Sequence, residues 1–299
     1  MRMIKSYAAL LFAPADARVY AAFRMAFSLT VLLNLLDLFQ HRKGLFHEGG
    51  LIAFDFVRSL CAGAPYWSVF YWVEGSTGID VLFMLTCTAA WALFFGLFTR
   101  LALLIVYVWQ VSYLNTLFPV LSGWDSVLTL CAFILLISPS AEAWSLDGQI
   151  KKILFRRAPA SSVPVYGLLL LRYQLCLIYF TTALLKMYNP WWRSGEFFAY
   201  YLLSVYSRFA QPWIAENLWL SVLLTYSTLV VEFALPLLLL FKKTRPFAFI
   251  AGIGMHVAIL ITSRLSIFSF IMIALYIPWL KSMSFTGNLL KMPSAKPTC

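Results

Sequence analysis

The stretch YGLLLLRYQLCLIYFTTALLKM, residues 166–187, decides the fold. A helix needs about 20 apolar residues to cross the hydrocarbon of a bilayer. This segment supplies them, and its only charges are Arg172 and Lys186. Seven further apolar runs read the same way, at 18–39, 78–98, 101–121, 124–138, 218–241, 246–263 and 265–280, with 124–138 and 265–280 the weakest. Only Ser122 and Gly123 separate the third and fourth runs in chain order, which predicts a tight antiparallel hairpin, and Arg264 joins the last two in the same manner.

Composition supports the same conclusion. Of 299 residues, 62% are hydrophobic and 12% charged, with a mean hydropathy of +0.82, whereas soluble domains have roughly 45–50% apolar and about 25% charged residues. A soluble enzyme with one membrane tail is excluded. No long alternating segments indicate an outer-membrane barrel, and the 17% aromatic content suits interfacial Trp and Tyr anchors. The expected fold is an all-α integral membrane protein, a polytopic bundle of about eight transmembrane helices. An interfacial helix follows the fifth, over the aromatic stretch from Trp191 to Tyr206. Residues 1–285 form one membrane domain and 286–299 a short cytoplasmic tail. The N-terminal segment runs into Asp16 and Arg18 and then a full-length span, and reads as no cleaved signal peptide.

The net charge of +11 does not indicate nucleic acid here. With the N-terminus inside, fourteen Lys and Arg residues fall on the inner side, six on the outer side and three within spans. The positive-inside rule then puts both termini in the cytoplasm. Cys61, Cys87, Cys131, Cys176 and Cys299 contain no CxxC pair, and His41 and His47 fall in an outer loop, so no metal site is expected.

Charges inside a membrane are costly and mark the places where function or register is set. Arg24 and Arg172 each stand about 9 Å from the inner side and Glu232 about 13 Å, at 1.5 Å per residue, which is compatible with one ionic layer in which Glu232 neutralises an arginine. Lys186 ends its span, about 30 Å up by the same rise. Arg172, Tyr179 and Lys186, spaced by sevens, share one helical face. A lysine there is either a snorkelling anchor or, if desolvated, a general base. His256, the only histidine within a span, is about 15 Å from the inner side, and reads as a core histidine, a proton shuttle or a donor to a ligand. Asn115 and Asp125 flank the outer hairpin as cavity-lining groups or as helix caps.

The order of Arg172-Tyr173-Gln174, Ile178-Tyr179-Phe180, Leu185-Lys186, Trp191-Trp192 and Gly195 resembles the signature of the HTTM family. That family's membrane domain is shared with vitamin K-dependent gamma-carboxylase. Residues 46–50, the run Trp144-Ser145-Leu146-Asp147-Gly148, Glu232 with Pro236, and His256 with Ile267-Phe268 follow the same pattern. The resemblance covers nearly the whole chain and implies a short bacterial-type member of the inner membrane. It implies a lysine base at Lys186 and a histidine at His256 around a reduced-quinone site on the outer face. In the carboxylase, the lysine deprotonates the hydroquinone, whose reaction with oxygen leads to proton removal from glutamate and capture of carbon dioxide. Tyr179, Asn115, Asp125, Trp191 and Trp192 are the residues expected to bind the cofactor, a quinone or hydroquinone. The chain lacks the large lumenal region that binds peptide substrate, so glutamate carboxylation is not expected of it. The alternative is a non-enzymatic membrane accessory for maturation or export of a secreted peptide or small protein, docked on the Trp191–Tyr206 stretch.

Overall fold

The computed structural model describes residues 9–46, 50, 56–57, 59, 67–73, 75–156, 158–209 and 213–280. His47 and the tail at 286–299 lie outside them. The chain divides into two units, one of Met1–Leu171 with Leu265–Ala274 and the other of Arg172–Arg264 with Leu275–Cys299. The division falls within a single long helix, Tyr166–Tyr188.

The first unit begins with a strand, β1 (Pro14–Asp16), paired antiparallel with β2 (Ser162–Pro164). The long helix α1 (Ala17–Phe46) follows. Its residues Tyr20, Phe23, Phe27, Val31, Leu35 and Leu38 recur every three or four positions and are all buried, so they form the single apolar stripe that a helix of 3.6 residues per turn needs. Helices α2 (Gly75–Phe95), α3 (Thr99–Thr116) and α4 (Gly123–Ile137) pack successively, and α4 also meets α1. A short helix α5 (Leu146–Phe155) precedes β2. The α2–α3 turn requires glycine at Gly96, where φ is +66° and a Cβ would stand 2.5 Å from Ser145 Cβ.

In the second unit, α6 (Tyr166–Tyr188), which starts in the first, leads to three short helices: α7 (Pro190–Ser194), α8 (Phe197–Leu203) and α9 (Trp213–Glu216). Two long helices follow, α10 (Leu218–Leu240) and α11 (Arg245–Thr262), packed on each other. The chain then returns to the first unit as α12 (Ser266–Ala274), which lies against α1 and α4, and a 3-10 turn, Ile277–Trp279, completes the second unit.

The protein is an all-α membrane protein. Each of the eight apolar runs falls on helix, but only five helices among the described residues are long and apolar enough to span: α1, α2, α6, α10 and α11. Helix α3 carries Arg100, Gln110 and Asn115, α4 has 15 residues, and the final run breaks after Ala274 before a turn built on Pro278. The hairpin connection is longer than the two residues expected, because a 3-10 turn, Phe118–Val120, intervenes. His41 lies on the last turns of α1 rather than in a loop, with Nδ1 3.0 Å from the Asp37 carbonyl. The single helix expected after α6 is instead two, α7 and α8, parted at Gly195, whose φ of +80° ends the first.

A candidate site around Lys186 and His256

The buried face of α6 continues through Leu175, Tyr179 and Ala183 to Lys186 in its last turn. Lys186 Nζ forms an ion pair with Glu232 Oε1 from the middle of α10. Its ammonium also stands 4.6 Å from the centre of the Trp192 ring, a cation–π contact. The side chain of Lys186 is 25% exposed and that of Glu232 8%. Glu232 Oε2 is buried without a hydrogen-bond partner among the described residues. A carboxylate with one oxygen bonded and the other unmet is an expensive arrangement in a low-dielectric interior.

Backbone carbonyls fix the segment that carries Trp192. Asn189 caps α7 by accepting from Trp191 N at 3.0 Å. The Gly195 carbonyl accepts from both Ser221 Oγ and Thr225 Oγ1 at 3.0 Å, and the Arg193 carbonyl from Tyr226 at 2.7 Å. Trp192 stacks on Phe197 at 4.0 Å between ring centres, whereas Trp191, half-exposed, meets the edge of Tyr200. Farther along, Arg208 N donates to the Thr262 carbonyl and Arg264 N to that of Tyr206, which ties the segment after α8 to the end of α11. Beside Trp192 an apolar groove of about 690 Å³ runs along α10, lined by Met187, Tyr226, Leu229, Phe233 and Leu237.

A second cluster lies one level along α6. Tyr179, His256 and Tyr276 are all fully buried. The Tyr179 hydroxyl is 2.8 Å from His256 Nε2 and 2.9 Å from the Tyr276 hydroxyl. Gly252 makes this chain of three groups possible, because a Cβ there would stand 1.7 Å from the Tyr276 oxygen. Lys186 is seven residues beyond Tyr179, roughly 10 Å along the helix axis. Lysine and histidine therefore flank one helix face in the same unit, with Tyr179 as the group in direct contact with the imidazole.

The other expected site residues have different surroundings. Glu232 is paired with Lys186, not with the arginine expected of it. Arg172 gives two hydrogen bonds to the Pro278 carbonyl, at 3.0 and 2.7 Å, and its guanidinium stands 5.6 Å from the centre of the Trp279 ring. In the first unit, Arg24 is wholly buried and donates to the carbonyls of Ser140, Ala143 and Trp144, the segment that follows α4. Asp125 caps its own helix, accepting from Ser122 N at 2.8 Å in a capping box, while its Oδ1 is buried with no partner among the described residues. Asn115 donates to the Trp67 carbonyl at 2.7 Å. Among the described residues, no group of three or more His, Cys, Asp or Glu side chains is placed to hold a metal ion.

Sequence reasoning missed Tyr276 and Gly252. Tyr276 was hidden in an apolar run, but a glycine inside a helix four residues before the buried histidine is a signal of close approach, since glycine there is otherwise unfavourable.

The model of the HTTM domain matches residues 12–282, and the chain belongs to that membrane-protein family. No curated protein and no solved structure matches it.

Proposed function

We propose that the protein is a membrane enzyme resembling the vitamin K-dependent carboxylase core, acting on or with a reduced quinone, with Lys186 as general base. The observation that carries this reading is the Lys186–Glu232 pair, a quarter exposed at the lysine and buried at the carboxylate, beside an aromatic-edged apolar groove. An isoprenoid-like tail suits the groove. A ring hydroxyl suits the unmet Glu232 Oε2, which accepts hydrogen bonds only.

A reduced quinone, when bound, supplies an acidic hydroxyl and two electrons. The chain's own groups handle the proton. Lys186 Nζ, with its proton held on Glu232 Oε1, would act as a free amine toward the ring hydroxyl of the bound group, and Trp192 packs against it. His256 Nε2, Tyr179 and Tyr276 form a buried chain of two hydrogen bonds, at 2.8 and 2.9 Å, that would hold a proton one level below Lys186. In the inner-membrane orientation with both termini cytoplasmic, this site lies toward the outer face.

The test is mass spectrometry of the lipid extract from gently purified protein, with Lys186→Ala and Phe233→Trp run in parallel. A quinone near one per chain that the groove-filling variant loses and Lys186→Ala retains supports the reading. No quinone, and a small secreted protein co-purifying instead, supports the accessory role, for which the exposed Trp191, Tyr200 and Tyr206 rings are the docking feature.

A further inference from the structure

The apolar stripe of α5 points the wrong way for a core helix. At about 100° per residue, Leu146, Ile150, Ile153 and Leu154 fall within one arc of about 100°, yet all four are exposed, Ile153 by 76%. Gly148, on the opposite side, is the face that packs on the protein: a Cβ there would stand 3.0 Å from Ser145 Oγ and 3.2 Å from Pro159. Lys151 borders the stripe on one side, Lys152 is exposed on the far side of the helix, and Arg156, with φ of +51°, ends it. Asp147 anchors the helix to the α2–α3 turn, accepting from Phe98 N, Thr99 N and Thr99 Oγ1 at 2.7–2.8 Å. The helix thus lies at the end of the first unit's helices, level with a turn between two of them.

The local charge identifies what covers this stripe. Both nearby carboxylates are engaged by the protein, Asp147 as described and Glu142 by Lys151 Nζ at 3.4 Å and Ala160 N at 3.2 Å. Lys152 and Arg156 remain as a positive surplus on a helix with an outward apolar stripe. A cavity of about 400 Å³ opens at the start of the helix, with Arg100, Lys151, Glu142 and Asp147 in its wall. We infer that α5 lies on the bilayer surface and holds it through anionic phospholipid, with the stripe among the upper acyl carbons and the basic residues at the phosphates. Surface basic residues attract anionic lipid by about 1 kcal/mol each, or about fivefold per charge. Neither the Lys186 site nor its chemistry enters this inference.

Hydrogen exchange of the full chain in nanodiscs tests it. Amides of residues 149–155 should exchange several-fold more slowly in bilayers containing phosphatidylglycerol than in phosphatidylcholine alone. High salt should remove the difference, and Lys152→Gln/Arg156→Gln should remove most of it. Ile153→Asn should speed exchange in both bilayers. Equal exchange in the two lipids, unchanged by these variants, would overturn the proposal, as would protection that arises only when a soluble protein is added.

Discussion

Lys186 and Glu232 form an ion pair between the last turn of α6 and the middle of α10, with the carboxylate the more deeply buried partner. Breaking a buried pair leaves a charge uncompensated and costs about 3–5 kcal/mol. The lysine is a quarter exposed, so removing the carboxylate should cost less than that range, because the remaining ammonium reaches a polar boundary. Lys186→Met should lower the unfolding temperature in detergent more than Glu232→Gln does. The double variant should recover most of the loss; a fully additive double variant would show that the two charges do not depend on each other.

The Tyr179 hydroxyl serves two partners, His256 Nε2 and the Tyr276 hydroxyl. Leaving a buried polar group unmet costs about 1–3 kcal/mol. Tyr179→Phe deprives both His256 Nε2 and the Tyr276 hydroxyl, and should destabilise the protein more than Tyr276→Phe. Equal losses in thermal unfolding would count against Tyr179 as the central member.

Gly252 and Gly254 form a matched pair of positions on α11. A Cβ at 252 collides with the Tyr276 hydroxyl, whereas one at 254 meets nothing within 4 Å. Gly254→Ala should therefore be neutral or stabilise by up to roughly 1 kcal/mol through helix propensity. Gly252→Ala should destabilise by about 1–3 kcal/mol, as overpacking does. The difference is measurable by chemical or thermal unfolding of the two variants side by side.

Arg24 gathers the carbonyls of Ser140, Ala143 and Trp144, in the segment that follows α4. Its planar fork reaches three residues at once, a geometry that an ammonium does not reproduce. Arg24→Lys should keep the charge yet loosen residues 139–145, seen as faster proteolysis there with a modest fall in unfolding temperature. Unchanged proteolysis would show that charge alone holds the segment.

The long spans were legible because hydropathy is a local property: the runs at 166–187 and 218–241 match α6 and α10 closely, and the run at 18–39 lies within α1, which continues to Phe46. The Lys186–Glu232 pairing was not legible, and depth counting even argued against it. Counting assumed that α6 and α10 end at one level. In the structure, the chain leaving α6 folds down beside α10, so that Gly195 is bonded by Ser221 and Thr225, the latter about 10 Å into that helix. This drop brings the end of α6 to the middle of α10. Similarly, α5 went unnoticed because it is short and flanked by basic residues, and the length of an apolar run is a poor measure of a ten-residue amphipathic helix.

The turn bearing Trp192 is held to α10 through the carbonyls of Arg193 and Gly195. Every amino acid brings a carbonyl, so this attachment tolerates exchange of the Arg193 side chain at the rim. Residue 193 is therefore the place to retune what enters the groove by mutagenesis, with the lysine kept at its post.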